Sequence, residues 1–219
     1  MKNLLLLAVV ALLALTPAFA QNEKYLQAMT AALQTFQQQT SGEPDAAAMQ
    51  ELANRFERIG AAEPNEWLPR YYAAYAYGTL GFSGDNLRTK DQYLDKADAL
   101  LKEAERIPSQ QADELAVMKA YITQARLAAD PMSRWQTYGA QFGEYLAIAK
   151  KSNANNPRIY YLEGTNLFYT PEEYGGGKKA AKPLFEKAME KYAHFQPAST
   201  LHPQWGKEHT RWFMEQCNQ

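Results

Sequence analysis

A single cysteine, Cys217, stands two residues from the end of the 219-residue chain. No disulfide can form within it, so any fold is held without a covalent cross-link. Histidine is almost as sparse: His194, His202 and His209 are the only three. The separation of His202 and His209 matches no usual local metal site, and Glu208 and Glu215, on a similar helix face, would need further ligands from elsewhere. No metal or cofactor is expected. An excess of charge of one sign is also missing, with 23 Lys and Arg against 24 Asp and Glu. Nucleic acid and acidic membrane both reward concentrated positive charge, so neither is an expected partner.

Catalytic motifs are missing too. Ser133 or Ser199 with one of the histidines would be the weak candidates for hydrolysis. Neither sits in a nucleophile elbow, and no paired-carboxylate motif supports them. No catalytic residue is assigned. TPEEYGGGKKAAKP, residues 170–183, places glycine beside lysine without the Walker spacing and without a following Ser or Thr. Those glycines read as a turn that brings two helices together, with Lys178, Lys179 and Lys182 facing solvent.

The chain opens MKNLLLLAVVALLALTPAFAQ: one lysine, an apolar run from Leu4 to Leu15, then Ala18-Phe19-Ala20. This is the layout of a cleavable secretory signal. The run is shorter than the roughly 20 residues that span a bilayer. Cleavage near Ala20 and a periplasmic or secreted product with no integral membrane anchor are expected.

Beyond the signal, apolar residues recur three and four apart, as in Leu26, Met29, Leu33 and Phe36, or Leu115, Met118, Ile122 and Ala125. This spacing puts each set on one helix face and predicts an all-α chain. Asp130-Pro131 and Asn156-Pro157 read as helix starts, a side-chain acceptor followed by a residue with no N–H to orphan. Thr89 with Gln92 suggests a capping box, and Ser109 a further cap. Pro64, Pro108, Pro157 and Pro203 mark joints separated by 44, 49 and 46 residues. The partition predicted is a leading helix at 23–39, then pairs at 45–61 and 66–80, 91–106 and 110–129, 132–151 and 157–169, and 178–192 and 203–216. As domains, this gives a signal peptide at 1–20, a leading helix and linker at 21–44, and a helical repeat domain at 45–219.

Trp67, Tyr71, Ala74 and Gly78 in one unit, and Tyr161, Gly164, Tyr174, Ala181, Phe185 and Ala188 in another, alternate large and small residues along paired helices. On these residues the chain resembles the tetratricopeptide-repeat superfamily, particularly its exported bacterial members with elongated or degenerate repeats. The resemblance implies an α-solenoid of stacked antiparallel helix pairs whose curved surface binds a protein or an extended peptide. The familiar period of about 34 residues is not kept.

Aromatic residues are the chain's surplus, 14 Tyr, 9 Phe and 4 Trp. Tyr71, Tyr72, Tyr75 and Tyr77 crowd one helix, which must distribute them around its circumference, so some meet a cleft or a neighbouring unit. The expected binding surface combines Tyr71, Tyr75, Tyr161, Tyr169 and Tyr174 with Arg70, Arg158 and Lys178. Arginine would fix a carboxylate while tyrosines hold apolar parts of a ligand. The expected role is non-enzymatic binding or scaffolding of a protein or peptide in the cell envelope. The alternative is a solute-binding accessory protein with an aromatic pocket for a small molecule or glycan, decided by where Tyr75, Tyr161 and Trp205 point.

Overall fold

The computed structural model describes residues 23–40, 42, 44–108 and 111–219. The signal segment with its cleavage near Ala20, and the cap expected at Ser109, lie outside the described residues. The rest is a succession of helices: α1 at 23–40, α2 Ala46–Ala62, α3 Leu68–Phe82, α4 Leu87–Glu105, α5 Ala112–Ala129, α6 Pro131–Asn153, α7 Pro157–Tyr169, α8 Lys178–His194 and α9 Lys207–Cys217. Sequential neighbours pack in pairs, and α5 also touches both α3 and α7, the three forming an inner layer. The architecture is thus all-α, built from stacked antiparallel helix pairs.

Local chemistry accounts for most of the boundaries. Asp130 accepts from Ser133 N at the start of α6, and Asn156 from Arg158 N at the start of α7, each with proline next. The cap of α4 is Asn86, which accepts from Thr89 N, so the helix begins at Leu87 and the capping box expected at Thr89 and Gln92 does not form. Pro183 is the sixth residue of α8, beyond the first turn, and the helix continues through it. Gly175 and Gly177 adopt φ of 83° and 90°, values that favour glycine. Gly177 N then donates to Leu167 O at 2.8 Å, closing the turn between α7 and α8.

α1 is joined to the first core through Phe36, whose ring lies 4.9 Å from Tyr75 and 6.1 Å from Tyr72. A second cluster joins α5, α6, α7 and α8, and a third, around Phe185 and Phe213, closes the end of the chain. One expected helix start is corrected. Residues 203–206 do not belong to α9; they end a non-helical strap, residues 195–206. Its Leu201, His202, Pro203 and Gly206 are buried, because side chains of the inner helices capture its backbone. Tyr72 Oη donates to Leu201 O at 2.9 Å, and Arg158 Nη1 to Pro203 O at 3.2 Å.

Candidate ligand-binding site

Trp205, on the strap, is the centre of a run of aromatic rings. Its ring centroid is 4.7 Å from Tyr75, 5.8 Å from Tyr121 and 6.1 Å from Tyr161. Toward the end of α3 the run continues through Tyr121 to Phe82 at 5.4 Å. In the other direction it passes from Tyr161 to Phe213 at 6.3 Å, then to Phe168 at 5.0 Å, Tyr169 at 6.0 Å and Trp212 at 4.9 Å. Tyr75 is buried beneath the run, whereas Tyr121, Tyr161, Trp205 and Phe168 are half-buried. Phe82, Trp212 and Tyr169 are 39%, 49% and 71% exposed. The run therefore forms a partly open aromatic strip across α3, α5, α7, α9 and the strap. Of the three residues whose direction decides between core and cleft, two, Tyr161 and Trp205, keep solvent-facing area.

The strip is uncharged at neutral pH. Burial pushes the Tyr121 hydroxyl up to about 12, while burial first and neighbouring tyrosines second hold Tyr161 and Tyr75 well above the ordinary range. Beside Tyr161, 6.5 Å between ring centroids, stands half-buried His209. Burial lowers its pKa, with the backbone of Thr40 at the end of α1 acting in the opposite direction.

Beneath Trp205 lies a buried polar network. Arg158 is fully buried and Glu114 is 2% exposed, and their side chains form an ion pair. Arg158 Nε donates to Glu114 Oε2 at 3.2 Å, and Asn156 Nδ2 to Glu114 Oε1 at 2.8 Å. Tyr71 Oη reaches Glu114 Oε2 at 3.4 Å and itself accepts from Trp205 Nε1 at 2.8 Å. The guanidinium is sandwiched by Phe195 and Trp205, 4.7 and 5.6 Å from their ring centroids. Tyr192 Oη donates to Trp205 O at 2.8 Å. Gly206 makes this approach possible: its φ is 99°, and a Cβ there would stand 2.2 Å from Tyr192 Oη.

The sequence-predicted site residues are thus dispersed. Tyr75, Tyr161 and Tyr169 come together along the strip. Tyr71 lies under it, and Arg158 is saturated by Glu114 and Pro203 O. Arg70 is committed elsewhere, with Nε at 3.3 Å from Glu103 Oε2 and Nη1 donating to Glu66 O at 2.9 Å. Tyr174 is exposed on a short 3-10 turn, Glu172–Tyr174, and Lys178 is exposed at the start of α8. Phe82, Tyr121, Trp212 and Phe213 belong to the strip and are not singled out by sequence reasoning. Tyr121 sits one position off the apolar stripe of Leu115, Met118 and Ile122, which is the signal that marks it as facing between core and surface.

A cleft of about 350 Å³ lies to one side of the strap, lined by Gln111, Asp113, Glu114, Asn153, Gln196 and His202 among others. Its chemistry differs from that of the strip: Gln111, Asp113, Asn153 and Gln196 make it polar, with Glu114 already paired to Arg158. Among the described residues, no group of three His, Cys, Asp or Glu side chains converges as a metal site.

Comparison with solved structures finds the HusA haemophore from Porphyromonas gingivalis, with a TM-score of 0.76 and 32% sequence identity over 88% of this chain and 92% of that one. The chain belongs to the HusA haemophore family. Comparisons with protein-family models and with curated proteins give no match. Membership of this family replaces the tetratricopeptide resemblance. The residues behind that resemblance satisfy a general demand of paired helices: Gly78 lies under Tyr121 and Gly164 under Phe185, where a Cβ would approach their rings to 3.0 and 2.6 Å. The expected scaffold for a protein or peptide is corrected by the same finding, since the relative is named as a carrier of a small molecule. Membership of the family is consistent with non-enzymatic binding.

Proposed function

We propose that this protein is exported, after cleavage near Ala20, as a carrier of a planar apolar macrocycle of the haem class, held against the aromatic strip. The observation that carries the reading is the continuous, partly exposed run of rings from Phe82 through Trp205 and Tyr161 to Trp212. Aromatic faces bury large apolar area and stack on flat π-systems. A strip of phenylalanine, tryptophan and protonated tyrosine side chains takes such a surface with little desolvation cost. The cleft by the strap fits less well, because its lining is mostly polar and offers a flat apolar ring little to stack on.

The residues present fit the group in one further respect. Half-buried His209 borders Tyr161, and its lowered pKa keeps the imidazole neutral at pH 7. Haem brings its own iron; the protein's part is to stack, orient and shield the ring. Tyr75, Tyr161 and Tyr169 of the sequence-predicted set belong to this reading, together with Phe82, Tyr121, Phe168, Trp205 and Trp212. The test is absorption titration with haem: Tyr161→Ala combined with Trp212→Ala should weaken binding by about 100-fold, with each anchor worth roughly 1–2 kcal/mol. Unchanged affinity in that folded variant counts against the strip.

A further inference from the structure

Three side chains outside the strip bind the strap that carries Trp205, and a fourth holds two of them. Arg158 holds the carbonyl of Pro203, Tyr192 holds the carbonyl of Trp205 itself, and Tyr71 receives the indole N–H, while Glu114 binds both Arg158 and Tyr71. The indole is therefore fixed at its backbone and at its ring edge, leaving one choice of plane. The surrounding rings alone do not impose this, since their planes lie at 46°, 56° and 79° to that of the indole. Nor is net stability a sufficient reason for the pair: a fully buried ion pair often contributes no more than apolar residues of the same volume. Its distinguishing product here is the orientation of Trp205.

We infer that Tyr71, held by the buried Arg158–Glu114 pair, is a positioning residue that fixes the Trp205 indole as the stacking face of the ligand site. This rests on the ligand reading above and deepens it. A pre-oriented ring loses no rotamer freedom when the ligand arrives, so the effect belongs in affinity. It acts on the macrocycle rather than on its metal, and haem and metal-free porphyrin should feel it equally.

The test compares Tyr71→Phe, which deletes one hydroxyl and keeps the ring, with Tyr160→Phe, which deletes a hydroxyl bonded to Ala154 O at 2.9 Å, away from the strap. Haem and metal-free protoporphyrin are titrated into both, and the Trp205 indole N–H is followed by hydrogen exchange, assigned through Trp205→Phe. The expected result for Tyr71→Phe is an affinity about tenfold lower for both ligands, with a Trp205 N–H that exchanges quickly. Tyr160→Phe should stay within about twofold of the parent. Because Tyr71→Phe and Trp205→Phe break the same hydrogen bond, the double substitution should cost less than the product of the two single losses. Should Tyr71→Phe fold poorly, Trp205→Phe carries the affinity measurement, expected to fall by a similar factor. Parent-like affinity in Tyr71→Phe, a still-protected Trp205 N–H, or equal losses in Tyr71→Phe and Tyr160→Phe overturns the positioning role. An unaltered protein that takes up neither ligand while its Trp205 N–H remains protected overturns the ligand reading itself, and the positioning role with it.

Discussion

Arg158 and Glu114 form an ion pair at the junction of α7 and α5 where neither has appreciable contact with water. Replacing Arg158 by Met leaves a buried carboxylate that must either stay charged without a partner or take up a proton. Such a change typically costs about 3–5 kcal/mol. Replacing Glu114 by Leu at the same time removes the stranded charge, and the double variant is expected to recover most of the loss. Urea denaturation of the three proteins checks this. Additive losses in the double variant would show that the pair is not an energetic unit.

Acid should destabilise the fold as His202 and His209 are called on to take up protons. His202 is nearly buried, its Nε2 is 2.9 Å from Gln111 Oε1, and Arg158 and Asp113 act on it from α7 and α5. Burial, then Arg158, lowers its pKa below the ordinary 6.5, and burial lowers that of His209. The unfolded chain therefore binds protons first as pH falls through about 6.5, and stability declines from there down to the folded-state values. The slope is at most about 1.4 kcal/mol per pH unit for each histidine. Melting temperatures between pH 7.5 and 5 should fall, and His202→Gln should flatten the decline. An identical pH profile in that variant contradicts the assignment.

Two glycines separate packing from propensity. On Gly164 a methyl group would stand 2.6 Å from Phe185 Cε1, and that ring is itself buried and stacked on Phe213 at 5.0 Å. Gly164→Ala should destabilise by about 1–3 kcal/mol through overpacking. Gly139, inside α6, has nothing within 4 Å of its would-be Cβ, so Gly139→Ala should stabilise by roughly 0.5–1 kcal/mol. Thermal melts distinguish the two, and a shift of the same sign in both would contradict this account of α7 against α8.

The helices were legible in the sequence because period and caps act locally. Asp130 and Asn156 cap through their own side chains two or three residues on, and α7 spans the expected 157–169. What sequence could not place is long-range. Arg158 reads as a surface cation suited to a ligand carboxylate, yet its partners are 44 and 45 residues away, at Glu114 and Pro203, and it is fully buried. The start of α9 fails for a related reason. Pro203 suits a helix start, but Tyr72, Arg158 and Tyr192 bind the strap backbone around it, and tertiary contacts outweigh that local preference. The strip itself was half legible. Tyr75, Tyr161 and Tyr169 are marked by aromatic crowding, whereas Tyr121 and Trp212 join them only when α3, α5, α7 and α9 are brought together.

The macrocycle is expected to sit on the aromatic strip. The direct measurement is the change in backbone and indole N–H resonances of the isotopically labelled protein on adding metal-free protoporphyrin. Shifts should concentrate at the indoles of Trp205 and Trp212 and along the backbone around Phe82, Tyr121, Tyr161 and Tyr169, with the indole of Trp135, on the exposed face of α6, unmoved. Shifts confined to Gln111, Asp113, Asn153 and Gln196 around the polar cleft, or to Trp135, would contradict it.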